Sequence, residues 1–243
     1  MLTKLNITDF RSIKYIDLEF KPVGVTLLFG QNNSDILDAT HCVINRHIPI
    51  NPSDCNNPQT TRLNATFKGE ELSKSCSYIV FNQNTPHAIG MGYYNETLEA
   101  IRPFTTWFNE NPQYQPIFNN LLKKILYNIT GFHSVQYECN GLSLNGNTSI
   151  SLLDAPLELQ MIVAILGEIV YKIFELNSLK HGIYTLNRVG GVFLINNPDK
   201  IISFEIARNL ISTLITDLPK CQVIISTHYP DYYTGLLCDK ISV

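Results

Sequence analysis

The chain has 243 residues, of which 44% are hydrophobic, and a formal net charge of −3. That is enough material for a large α/β domain with a substantial core, and it excludes extended disorder and a broadly basic nucleic-acid surface. No stretch approaches the roughly 18 uncharged apolar residues of a membrane span. The six cysteines, Cys42, Cys55, Cys76, Cys139, Cys221 and Cys238, have neither C-x-x-C nor paired Cys/His spacing. They read as reduced thiols, and with no long apolar run in Met1 to Ile7 the chain is expected to be cytoplasmic.

Residues 2–8 and 15–20 alternate apolar and polar side chains about the turn Phe10-Arg11-Ser12, which predicts two half-buried strands. Val23 to Phe29 is a continuous apolar run, as in a strand covered on both faces. A polar turn follows, then a helix beginning at Ser34 or Asp35 with Ile36, Leu37, Ala39, Cys42, Val43 and Ile44. The proline- and asparagine-rich stretch 45–59 predicts a loop. Arg62 to Phe67 and Ser77 to Phe81 predict strands of a peripheral sheet. Residues 95–132 combine helical periodicity with Pro103, Pro112 and Pro116, and predict a compact helical insertion. Val135 to Cys139 and Leu142 to Leu144, joined at Asn140-Gly141, predict a hairpin. A long apolar helix is expected from about Pro156 to Leu176. Gly191 to Ile195 and Gln222 to Thr227 predict buried strands on either side of a helix from Ser203 to Leu214. Strands alternating with helices in this way imply a parallel, covered sheet.

The stretch from Leu28 to Ala39 reads Leu-Phe-Gly-Gln-Asn-Asn-Ser-Asp-Ile-Leu-Asp-Ala. Strand, polar turn and helix are the setting of a phosphate-binding loop, Gly-x-x-x-x-Gly-Lys-Ser/Thr. In that loop backbone amides wrap the phosphates, the lysine neutralises them and the hydroxyl holds magnesium. Gly-Lys-Ser placed between Ser34 and Asp35 would complete the pattern; in this chain those three residues are absent.

Five segments, in order, resemble the ABC-type ATPase heads of the SMC/RecF/OLD group. Phe10-Arg11-Ser12-Ile13 is similar to the family's opening, and Gly30-Gln31-Asn32-Asn33-Ser34 to its phosphate-loop entrance. Ser151-Leu152-Leu153-Asp154-Ala155-Pro156 falls where the signature motif belongs, before a long helix. Phe193-Leu194-Ile195-Asn196-Asn197-Pro198 resembles Walker B, and Ser226-Thr227-His228-Tyr229-Pro230 the switch-histidine segment.

The departures from that family fall on its chemistry. The resemblance implies a magnesium-supporting aspartate and a water-polarising glutamate where Asn196 and Asn197 stand. An amide has neither the charge nor the basicity for those roles. At the signature, Asp154 replaces the expected serine and Pro156 the glycine, which puts a repelling carboxylate and a residue without an N–H donor at a phosphate contact. Asp35 and Asp154 are both expected at helix starts, where a carboxylate complements free N–H groups and the positive dipole end. On this reading internal carboxylates have replaced the anionic ligand.

The expected fold is therefore α/β, an ABC-type P-loop NTPase head spanning residues 1–243, with a mixed N-terminal sheet, a parallel core sheet and the helical insertion. No residue is expected to be catalytic and no metal to be bound. ATP and magnesium binding is expected to be lost or weak. Gly30, Gln31, Asn32, Asn33, Ser34, Asp35, Asn196, Asn197 and His228 form the vestigial nucleotide site, and Asp154 and Pro156 the degenerate signature. The role this implies is that of a pseudo-ATPase, a structural or regulatory subunit paired with an active ATPase paralogue, an effector or a second copy of itself. The resemblance sets it among bacterial DNA-repair and anti-phage or toxin systems. Two rivals are a nucleotide-binding switch without hydrolysis, using Asn32, Asn33 and His228, and a DNA-binding module of an SMC-like complex, which the net charge disfavours.

Overall fold

The computed structural model describes residues 1–45, 61–68, 76–82, 85–89, 102–127, 129, 134–138, 141–144, 148–176 and 185–243. The expected loop at 45–59, the Asn140 turn position and the insertion's first residues, 95–101, lie essentially outside them.

The alternating N-terminal segments form an antiparallel hairpin, β1 (Leu2–Phe10) and β2 (Ile13–Glu19), with β4 (Arg62–Phe67) on the other side of β1. The hairpin tip is tight: Asp9 and Arg11 both adopt left-handed backbone, with φ of 51° and 47°. The continuous apolar runs become β3 (Gly24–Phe29), β10 (Val192–Asn196) and β11 (Gln222–Thr227), which sit together in a six-stranded sheet of order β12-β3-β11-β10-β5-β6. There β5 is Cys76–Asn82, β6 is Thr85–Ile89 and β12 is Asp239–Ser242; β6 is antiparallel and the rest parallel.

The period of two along these strands explains their composition. Val25, Leu27, Phe193, Ile195, Val223 and Ile225 point into one core, and Leu28, Val192, Leu194 and Ile224 into the other. Both faces are covered, so the strands are mainly apolar, and the buried polar side chains Gln222, Ser226 and Thr227 on β11 are hydrogen-bonded. The first core lies beneath α4 (Leu157–Leu176) and α6 (Phe204–Asp217), and the one-turn helix α5 (Thr185–Arg188) adds Leu186 to it. The second lies between the parallel sheet, α1 (Asn33–Asn45) and the antiparallel sheet. Gln222 joins the two sheets: fully buried, it accepts from Leu2 N–H at 2.9 Å and donates to the carbonyls of Leu2 and Lys21, both at 2.7 Å.

Three features depart from the sequence reading. β5 lies beside β10 in the parallel sheet rather than in a peripheral one. A strand's alternation reports how it is covered, not which neighbour it takes. The hairpin β7 (Val135–Glu138) and β8 (Gly141–Leu144) gains a third strand, β9 (Thr148–Ser151). In the insertion, Pro103 lies in the first turn of α2 (Arg102–Glu110), and Pro116 in that of α3 (Gln115–Ile125), with Pro112 opening a short 3₁₀ turn. Proline has no N–H to lose at a helix start, so these residues begin the helices instead of interrupting them. The insertion packs on α4 through stacked rings, Trp107 on Tyr114 at 5.1 Å and Tyr114 on Phe174 at 4.2 Å. Among the described residues no helix is long and apolar enough to cross a membrane. The apolar α4 is a core helix, with Leu159, Met161, Ile162, Val163, Ile165, Leu166, Ile169 and Val170 all fully buried.

Candidate functional site

The C-terminal ends of β3, β10 and β11 meet the N-terminus of α1, the place where open α/β sheets hold their ligands. Only Gly30, Gln31 and Asn32 separate β3 from α1. Gly30 has φ +127°, a backbone region that only glycine occupies readily. The direction a side chain would take is blocked too, since a Cβ there would lie 1.9 Å from the Val243 carbonyl oxygen, and Val243 N–H donates to Phe29 C=O at 2.8 Å. Asn32 opens the helix, its carbonyl accepting from Ile36 N–H at 3.0 Å. Asn33 is buried and donates through Nδ2 to Thr227 C=O at 2.8 Å, fixing the first turn to β11. Gln31 is exposed and is held by none of these contacts.

Ser34 sits in that first turn with its hydroxyl 3.0 Å from Asn196 Oδ1, to which it donates. It also accepts from Asn197 Nδ2 at 2.7 Å. Asn196 Oδ1 collects two more donors, Ser226 Oγ at 2.6 Å and Asn197 Nδ2 at 2.8 Å. Asn197 is almost wholly buried and left-handed, with φ 46°, a conformation that asparagine tolerates better than most residues. Its N–H donates to Ser226 Oγ at 2.9 Å and to Ser226 C=O at 3.1 Å. Four neutral side chains thus bind one another where the resemblance expects phosphate, magnesium and an attacking water. Ser34 thus presents its hydroxyl to the two amides at the end of β10.

Asp35 lies in the first turn of α1, within the positive end of the helix dipole, but its side chain is turned to the β1–β2 tip. Its Oδ1 pairs with Arg11 Nη1 at 3.3 Å, and its Oδ2 is a hydrogen-bond acceptor for Ser12 Oγ. Arg11 Nη1 also pairs with Asp38, and Ser12 Oγ lies 2.9 Å from Asn32 Oδ1. Asp35 is therefore a partner of Arg11 and Ser12 rather than a cap. The strained backbone at Arg11 aims its guanidinium at these carboxylates, which local sequence pattern could not reveal.

Asp154 also differs from expectation. It ends a 3₁₀ turn, Leu152–Asp154, and is exposed, while Pro156 directly precedes α4 and accepts from Gln160 N–H at 3.1 Å. The acidic residue in the first turn of α4 is Glu158, whose Oε1 accepts from Ser203 N–H at the head of α6. One helix start thereby caps another.

His228 projects its ring from the end of β11 into solvent. Its backbone is fixed by Asp199, a residue that sequence reasoning missed. Asp199 is 7% exposed, and its Oδ2 accepts from Thr227 Oγ1 at 2.7 Å, His228 N–H at 2.8 Å and Tyr229 N–H at 3.1 Å. Beside it Tyr233 is fully buried, and burial first, then the Asp199 charge, push its phenol well above the ordinary tyrosine range. Among the described residues no group of three or more His, Cys, Asp or Glu is placed to hold a metal ion.

No family model matches the sequence, and no curated protein matches it. Among solved structures, the SMC head domain from Thermotoga maritima is 12% identical over 96% of this chain and 90% of its own, with a TM-score of 0.50. An SMC head bound to the C-winged helix domain of ScpA is 11% identical over the same shares, 96% and 90%, with a TM-score of 0.58. At such identities the likeness is one of fold. The parallel sheet, the β3–loop–α1 unit at its C-terminal edge and this likeness give the chain the P-loop ATPase head fold of the SMC and ABC type.

Proposed function

We propose that the chain is a catalytically inactive ATPase head that acts through protein contacts, as a structural or regulatory subunit. The observation that carries this reading is the direct closure of Ser34 on Asn196 and Asn197. Phosphoryl transfer depends on positioned charge: a lysine on the phosphates, a metal and a residue that orients water. The three-residue loop supplies no lysine, and the Walker B position holds two amides that already bond to each other and to Ser34. The cation beside the loop, Arg11, is neutralised by Asp35 and Asp38. Nucleotide would have to break these bonds and then find no charge to replace them.

That leaves the scaffold as the working part. A solved head of this fold binds a winged-helix domain of another protein, which supports the protein-contact reading. Calorimetry with ATP and magnesium, beside a phosphate-release assay, tests the proposal: neither heat nor turnover is expected. Turnover that disappears when Asn197 alone is changed to alanine would overturn it. Saturable heat without turnover would instead establish the non-hydrolysing nucleotide switch.

A further inference from the structure

The sheet β7-β8-β9 ends on one side at β7, and between β7 and α3 lies a cavity of about 500 Å³. That volume falls within the roughly 300–1,000 Å³ of ligand pockets. Tyr137 turns both of its backbone groups away from β8. Its N–H donates to Asn119 Oδ1 at 2.8 Å, and its C=O accepts from Asn119 Nδ2 at 3.3 Å. One amide of α3 thus stands in for a neighbouring strand. Hydrogen-bonded and non-hydrogen-bonded positions alternate along an antiparallel pair, so Val135, two residues earlier, turns its N–H and C=O to the same edge. Among the described residues neither group has a partner there, and Val135 lines the cavity.

The walls select the occupant. Leu126, Ile129 and Val135 are buried, while Asn120, Lys123 and Gln136 are exposed at the mouth. An open strand edge takes an extended polypeptide, whose backbone brings a donor and an acceptor to the same side at every second residue. A phosphodiester linkage offers the Val135 carbonyl no donor. The amides of Asn120 and Gln136 each carry both a donor and an acceptor, and suit the same polypeptide backbone. Charge narrows the choice further. Lys124 is paired with Asp217 at 2.6 and 2.8 Å, whereas Lys123 at the cavity has no partner among the described residues. A carboxylate on the incoming segment complements it. The edge is also fixed in advance, since the fully buried Tyr137 ring packs on Phe118 at 5.6 Å and on Phe108 at 5.8 Å. A strand held in this way loses little entropy on docking.

We infer that the cavity between α3 and β7 seats an extended acidic segment of a partner protein, which adds to β7 at Val135 and sets a carboxylate against Lys123. The inference gives the partner's chemistry for the protein-contact reading and rests on it. The probe is a fluorescent heptapeptide of alternating threonine and valine with aspartate as its central residue, blocked at both ends. Its anisotropy is expected to rise and saturate as the full chain is titrated to about 0.5 mM. N-methylation of alternate amides is expected to abolish binding in one of the two possible sets and spare it in the other, because a strand pairs along one edge. Lys123→Glu, at an exposed position, is expected to keep the circular dichroism of the parent, to bind the probe about fivefold more weakly and to prefer a probe with lysine for aspartate. No saturable binding by the parent chain overturns the inference, as do equal effects of the two N-methylated sets or an unchanged charge preference in Lys123→Glu. A single-stranded oligonucleotide that binds in the probe's place, and is lost in Lys123→Glu, would overturn it in favour of a phosphate contact. Peptide binding reads Val135 and Lys123 whereas nucleotide calorimetry reads Ser34 and Asn196, so the two proposals fail separately.

Discussion

Ser34 Oγ, in the first turn of α1, donates to Asn196 Oδ1 at the end of β10 across 3.0 Å, and this bond closes the cleft between the helix and the sheet. If it is structural, removing it must cost stability. Ser34→Ala takes away one donor to Asn196 and one acceptor for the buried Asn197 amide, and is expected to lower the unfolding free energy by about 1–2 kcal/mol. Asn196→Ala strips the shared acceptor from Ser34, Ser226 and Asn197 at once, and should cost more, about 2–4 kcal/mol. Urea unfolding measures both. Equal, negligible losses would mean that the network is not what holds the site shut.

Arg11 gives a separate handle on the same cleft. Its left-handed backbone, φ 47°, costs an ordinary residue about 1 kcal/mol, and the ion pairs with Asp35 and Asp38 hold it there. Arg11→Ala keeps the strain and loses the pairs, whereas Arg11→Gly loses both. The glycine variant is expected to be the more stable of the two by about 1 kcal/mol. A glycine variant no better than alanine would place the strain elsewhere.

The sequence shows the outline of this site more readily than its contacts. The runs at Val25 to Phe29, Val192 to Ile195 and Val223 to Ile225 must lie in a sheet covered on both faces, because they leave no polar face. The missing Gly-Lys-Ser is visible by inspection, and so are Asn196 and Asn197 before Pro198. Contacts between distant segments carry no such mark. Nothing local to Arg11 points to Asp35 and Asp38, and nothing local to Asp199 points to the backbone of His228 and Tyr229. The same limit misplaced β5, and it gave Asp154 a capping role that Glu158 performs on a different helix.

Gly30 is where loop geometry and chain packing meet. A side chain there faces both φ +127° and the Val243 carbonyl, which follows β12 and whose own N–H bonds to Phe29 C=O beside the β12–β3 pair. Gly30→Ala is therefore expected to cost more than 2 kcal/mol, roughly the sum of backbone strain and a lost strand end. Hydrogen exchange should show Lys240 to Val243 losing protection first. Unchanged protection there, with the same overall loss, would assign the cost to strain alone.

Gln222 tests how the two sheets are joined. Its amide satisfies Leu2 N–H and the carbonyls of Leu2 and Lys21, all remote in sequence. Gln222→Met keeps the shape and removes every partner, so buried backbone groups are left unpaired at an expected cost of about 2–4 kcal/mol. The loss should appear as faster exchange across β1 and β2 while β10 remains protected. Uniform loosening of all strands would mean that the antiparallel sheet does not move as a unit.

Cys221, one residue earlier, gives the fold a measurable alkaline limit. Burial pushes its thiol up from 9.0 to about 12, because the thiolate cannot be solvated at the foot of β11. The folded chain therefore keeps a proton that the unfolded chain releases. Below pH 9 both states are protonated and the group contributes no pH dependence; from about 9 to 12 the unfolded state binds fewer protons, so stability falls as pH rises. Between about pH 8 and pH 11 this amounts to roughly 2–3 kcal/mol. Tyr233, raised by burial and by Asp199, adds a decline of the same sign above the ordinary tyrosine range. Cys221→Ala separates the two: it lowers stability at every pH by removing a buried group, but flattens the slope that begins near pH 9. Urea midpoints of both proteins across that range decide the matter. A variant whose stability still falls as steeply as the parent's between pH 9 and 10 would remove Cys221 as the cause.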